Sequence, residues 1–141
     1  MARRIRRLAV APVVLPHELA HAAAALAVGL TPEVRLLPPH EGATTPTWRV
    51  RLVAVAPLVV FVGGAVVLRW TVAPRGAGAV LALAACAYWG SLSAGDVAVA
   101  VAPDEARDAG RFVAGVTPRI QATADALTLV VVFVVAGVLL A

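Results

Sequence analysis

The amino-acid sequence predicts an all-α membrane protein of about four transmembrane helices, with a small β-hairpin-like loop after the first. Three observations predict it. Hydrophobic residues make up 61% of the 141-residue chain and charged residues only 14%, with a mean hydropathy of +0.90. A soluble domain carries roughly a quarter charged residues. The apolar residues fall into four runs near span length, separated by polar stretches. All of the basic residues are Arg, and most stand between these runs or at their edges. The net charge of +4 therefore reads as headgroup anchoring and topology. No basic patch with interleaved aromatics occurs, which argues against nucleic acid as a partner. One polytopic domain over residues 1–141 is expected, with spans at about 8–30, 52–70, 79–101 and 126–141.

The first span follows Arg3, Arg4, Arg6 and Arg7, and its apolar run extends from Leu8 to Leu30. A basic start and an apolar core also describe a signal peptide. The run is too long for one and suits a full crossing of roughly 20 residues. By the positive-inside tendency the N-terminus lies in the cytoplasm, and the cell membrane is the expected location. Pro12 and Pro16 interrupt the run, so a kink is expected just before His17 that leaves backbone carbonyls free.

Within this span lies His17-Glu18-Leu19-Ala20-His21, an HExxH pattern. On a helix the i, i+4 spacing puts both imidazoles on one face, where they can share a zinc ion. Glu18 stands about 100° round and can reach water at the metal. A disposable leader has no reason to carry such a cluster.

Residues 31–51 form a polar stretch punctuated by Pro32, Pro38, Pro39, Gly42 and Pro46. The flanking runs Val34-Arg35-Leu36-Leu37 and Trp48-Arg49-Val50-Arg51-Leu52 favour strands, and the second partly alternates. A hairpin at the membrane face is expected there. It serves either as an edge that aligns an extended substrate or as a plain solvated connector. His40 has no companion at ligand spacing and reads as a solvated side chain.

The second span ends at Arg69 and Trp70, an interfacial anchor, and contains Pro57 and the Gly63-Gly64 pair. Arg75 with Gly76 and Gly78 makes a turn suited to the cytoplasmic side. The third span holds Cys86, Tyr88 and Trp89, then Ser91-Leu92-Ser93-Ala94-Gly95-Asp96 and a further apolar run. A lone Cys cannot form an internal disulfide, and Cys86 reads as packing.

Asp96 is, with Glu18, one of two acids embedded in apolar sequence. An unpaired carboxylate there costs several kcal/mol, so it requires a partner. A zinc ion already held by His17 and His21 is the partner available. Spans one and three run in the same direction, so they can meet. An unbroken helix from Ala79 would carry Asp96 about 25 Å inward, deeper than the histidines. A break or tilt around Ser91 to Gly95 is therefore expected. Residues 103–125 form a charge-balanced surface connector, and the fourth span is a packing element.

The order of HELAH in a first core helix, a hairpin-like loop, Ala56-Pro57-Leu58 in the next helix and Asp96 in the third resembles the site-2 protease family of intramembrane zinc metalloproteases. The resemblance covers roughly residues 10–100. It implies a polytopic enzyme that hydrolyses peptide bonds of membrane or membrane-proximal substrates. His17, His21 and Asp96 would be the zinc ligands and Glu18 the general base. The chain departs from the family at two places. Ala56-Pro57-Leu58-Val59-Val60 lacks the family's Asn, and Ser93-Ala94-Gly95-Asp96 replaces Leu-Asp-Gly. Three readings stand open: a membrane zinc protease, a zinc-binding membrane protein without proteolysis, and a helical bundle in which these side chains line a polar seam.

Overall fold

The computed structural model describes residues 2–30, 46–105 and 115–141, with side chains from Val13 onward in the first segment. Five helices carry the described chain: α1 (Ala2–Ala27), α2 (Thr47–Thr71), α3 (Ala77–Gly90), α4 (Ala94–Val101) and α5 (Pro118–Leu140). No strand occurs among the described residues. Two helices, α2 and α5, are long and apolar enough to cross a membrane, and α3 with α4 makes a third if the bent pair is one span. The described apolar part of α1 is Val13–Ala27.

Local chemistry explains each boundary. α1 ends in a Schellman motif: Gly29 takes φ +76°, its N–H reaches the Leu26 carbonyl at 3.0 Å, and the Leu30 N–H reaches Ala25 at 2.8 Å. α5 starts where the Thr117 hydroxyl accepts from the Ile120 N–H, with Pro118 in the first turn where its missing N–H is harmless. α3 stops at Gly90, and α4 restarts after three residues at an axis angle of 49°.

α2 is the centre of the bundle and touches α1, α3, α4 and α5. Its buried residues Val50, Val53, Ala54 and Pro57 recur at helical spacing. The interfaces use small side chains, with Ala20, Ala25, Ala54, Ala56, Ala65, Ala79 and Ala87 all buried. In lipid no hydrophobic force draws helices together, so close backbone approach has to supply the attraction. Larger apolar residues sit in two clusters on α5, Val131, Val135 and Leu139 against Ala65, and Ala124 against Leu92 and Val97. The outward faces carry Val66, Val67, Leu129, Val130 and Phe133, the surface a bilayer would cover.

Three expectations change. The strand expected at 48–52 is the first turn and a half of α2, while its partner run 34–37 and His40 lie outside the described residues. Trp48-Arg49-Val50-Arg51-Leu52 alternates, but Val50 also belongs to the 50, 53, 54, 57 stripe. As helix, the segment sends the Arg51 Nε–H to the Ala100 carbonyl at 3.0 Å, satisfying an orphan group at the end of α4. The last helix begins at Pro118 rather than 126, because the Thr117 cap recruits a polar first turn. α1 is one helix across Pro12 and Pro16, so the kink expected just before His17 does not interrupt it. The break expected between Ser91 and Gly95 is present, at residues 91–93.

At Gly90, α3 packs closely against α2 and α5. A Cβ there would lie 3.2 Å from Phe61 Cβ, which cannot swing away, and in ordinary contact with Val131 Cγ1 at 3.7 Å. Gly63, by contrast, faces open space. Gly90→Val should lower stability by about 1–3 kcal/mol through overpacking, whereas Gly63→Ala should not. Thermal unfolding in detergent, followed by tryptophan fluorescence, reads both, and an unchanged midpoint for Gly90→Val would refute the close approach.

Candidate metal centre

His17 and His21 occupy successive turns of α1 with their rings edge to face, centroids 4.8 Å apart. Their Nε2 atoms stand 3.1 Å from each other. Asp96 closes the group from α4, with Oδ2 3.4 Å from His17 Nε2 and Oδ1 3.2 Å from His21 Nε2. His21 is 2% exposed and Asp96 4%. One donor atom from each of these three residues lies within 4.8 Å of the others, so the group could hold a metal ion. The structure thus brings together the three side chains expected as ligands, from two helices more than seventy residues apart in the chain.

The opposite edge of each ring fixes its chemistry. His17 Nδ1 donates to the Trp89 carbonyl at 2.9 Å, and His21 Nδ1 donates to the Val53 carbonyl at 2.7 Å. A carbonyl can only accept, so each Nδ1 carries a proton, and in the neutral ring that leaves the Nε2 lone pair directed inward. Two lone pairs and a carboxylate then converge in a buried space. Such a set repels itself unless a proton or a metal cation sits among it, and the Nδ1–H tautomer is the one that ligates a metal through Nε2.

Both acceptors are backbone groups that a break in helical bonding sets free. In α2 the Val53 carbonyl would bond to the N–H of residue 57, which is Pro57 and has none. In α3 the Trp89 carbonyl would bond to the N–H of residue 93. The Ser93 N–H instead donates to Asp96 Oδ2 at 2.8 Å. Each orphan carbonyl finds an imidazole.

Asp96 is oriented in the same manner. It is the third residue of α4, whose N-cap is Ser93, and the two form a capping box. Ser93 Oγ accepts from the Asp96 N–H at 3.1 Å and donates to Asp96 Oδ2 at 2.7 Å. Ser93 therefore holds Oδ2 with two donors, while Oδ1 faces His21.

Trp89 ties α3 to α1 a second time, its Nε1–H donating to the Val13 carbonyl at 2.7 Å. Its ring packs against Phe61 at 5.6 Å. Glu18, the expected general base, is exposed. It lines, with Val14, His17, His21, Tyr88, Ser91, Leu92, Ser93 and Asp96, a cleft of about 480 Å³.

Trp89, Val53 and Ser93 were not apparent as site residues from sequence. Two signals point to them: a proline four residues after Val53, and Ser-x-x-Asp spacing ahead of an apolar run. Comparison with protein-family models, with curated proteins and with solved structures finds no match to this chain.

Pro57→Ala would return an N–H to the Val53 carbonyl, in competition with His21 Nδ1. Metal affinity should fall about 10–100-fold, the range for loss of a group that orients a ligand, with helix content unchanged. Titration with a competing chelator measures it, and an affinity equal to wild type would show that the freed carbonyl does not orient His21.

Proposed function

We propose that this chain is an intramembrane zinc metalloprotease, similar to the site-2 protease family, that hydrolyses peptide bonds of membrane or membrane-proximal substrates. One observation carries the reading: an HExxH helix places two inward-facing Nε2 atoms beside a buried carboxylate, with the motif's Glu18 on the same cleft. Tetrahedral zinc with ligand distances of about 2.0–2.1 Å sets neighbouring donors about 3.3–3.4 Å apart. Here the two Nε2 atoms stand 3.1 Å apart, Asp96 Oδ1 lies 3.2 Å from His21 and Oδ2 3.4 Å from His17, and one donor atom from each residue lies within 4.8 Å of the others, close to that spacing. Two neutral imidazoles and one carboxylate also leave a fourth position, as in a catalytic site.

Zinc, when bound, supplies a Lewis acid that makes water nucleophilic near neutral pH. The chain's own groups carry the remaining work. Nδ1–H bonds hold both imidazoles in the ligating tautomer, and Ser93 holds Asp96. Glu18 takes the proton of the attacking water and delivers it to the departing amine. The exposed position of Glu18 leaves it free to make both transfers. A cleft of about 480 Å³, lined partly by Val14, Leu92 and Tyr88, accommodates a short unwound stretch of substrate and the water it needs.

The placement is a multi-pass one in the cell membrane, with α1 as a fourth span beside α2, the α3–α4 pair and α5. Alternate crossing puts the N-terminal arginines, Arg69 and Arg75 on one side. The positive-inside tendency makes that side cytoplasmic. A second reading, a zinc-holding membrane protein without hydrolysis, is favoured by Val59 and Val60 where the family carries Asn.

Detergent-purified wild type should hold about one zinc per chain, as a three-ligand site requires, and Asp96→Ala much less. Glu18→Gln should keep the metal and lose cleavage of a reconstituted transmembrane peptide. Wild type without zinc despite added metal would sink the metal reading. Full zinc with no cleavage by wild type would leave the non-hydrolytic reading.

A further inference from the structure

Hydrolysis places negative charge on the carbonyl oxygen of the scissile peptide, and a preorganised hydrogen-bond donor aimed at that oxygen stabilises it. The side-chain donors lining the cleft can be taken in turn. Ser91 Oγ donates to the Ala87 carbonyl at 2.7 Å. Ser93 Oγ donates to Asp96 Oδ2 at 2.7 Å. The two imidazole N–H groups donate to Trp89 and Val53. Tyr88 lines the same cleft, is 55% exposed, and has no hydrogen-bond partner among the described residues.

We propose that Tyr88, through its hydroxyl, is the catalytic donor to the substrate carbonyl oxygen as a water molecule adds to the peptide; this rests on the protease reading above. Three features support it. The Tyr88 hydroxyl belongs to an exposed side chain on the cleft and is engaged by no described protein group, so it is free to donate to a ligand bound there. Tyr88 is adjacent to Trp89, whose backbone carbonyl receives His17 Nδ1 and whose indole is bonded to Val13. Its backbone is thus held to the helix that carries His17 and His21 by two hydrogen bonds one residue away. The phenol also supplies a side-chain donor in a chain whose second span lacks the family's Asn.

The step balances without further reagents. The water oxygen forms a bond to the carbonyl carbon as an electron pair moves onto the carbonyl oxygen. Glu18 receives one water proton. The electron pair returns, the C–N bond breaks, and the proton passes from Glu18 to the nitrogen. Tyr88 keeps its own proton throughout and gives only a hydrogen bond.

The test is Tyr88→Phe, which removes one exposed oxygen, assayed beside wild type for zinc content, peptide cleavage and binding of a phosphonamidate peptide that mimics the tetrahedral species. Expected are wild-type zinc content, kcat reduced about 10²–10³-fold with KM within a few-fold, and phosphonamidate binding weakened in parallel. The matching uncleaved peptide should bind both proteins equally. Wild-type kcat and phosphonamidate binding in Tyr88→Phe, in a chain that does cleave, would overturn this inference alone. A zinc-loaded wild type that neither cleaves nor prefers the phosphonamidate would overturn it together with the protease reading. Zinc lost in Tyr88→Phe would overturn it by making Tyr88 a structural support of the centre.

Discussion

A backbone carbonyl without a donor is hard to tolerate in apolar surroundings, and this constraint organises the molecule. Two such carbonyls stand ahead of Pro57 in α2 and at the end of α3. Each is then satisfied by the Nδ1–H of a histidine on α1. The same two bonds dock α1 onto its neighbours and settle which nitrogen of each ring stays unprotonated. Structural need and metal chemistry are met by one set of contacts, so a defect in either backbone break should be felt at the other edge of the ring.

The break between α3 and α4 serves a further purpose. Ending α3 at Gly90 permits contact with Phe61 and brings Trp89 alongside α1, while restarting at Ser93 places Asp96 in the first turn of a new helix. A carboxylate there is favoured by the unpaired N–H groups and by the helix dipole. Asp96 is therefore held by Ser93 on one oxygen and turned toward His21 with the other. Burial of a charge this deep is tolerable only with such support. The bend also resolves a problem of depth, since a straight helix would carry Asp96 past the level of the histidines.

Packing around this centre is close but thin. α2 meets each of the other described helices through alanine, valine and proline, and the bulky apolar residues of α5 line its contact with α2 and α3. The ligand set stands on helices and is locked by hydrogen bonds on the side away from the metal position. Glu18 and Tyr88, the groups assigned to moving a proton and meeting developing charge, are exposed on the open face of the same cleft. Rigid candidate ligands beside freer polar groups are the arrangement that the proposed hydrolysis would use.

Sequence by itself determined the class, a helical apolar chain, and the three residues of the candidate metal group. HExxH has meaning within one helix turn, and an acid amid valine and alanine has to be paired wherever it lies. The break near Ser93 followed from counting residues against depth. Only the tertiary structure decided that residues 48–52 are helix, because five alternating residues fit a strand or one turn and a half of helix equally well. Only it showed that Val53 and Trp89 receive the histidines and that Tyr88 shares their cleft. The physical reason is that lipid-facing and buried surfaces are alike in apolar character. Hydrophobic pattern therefore reveals the helices and leaves their mutual rotation unstated. That rotation is settled by alanine-sized contacts and by which orphan carbonyl meets which donor, and both depend on partners tens of residues away.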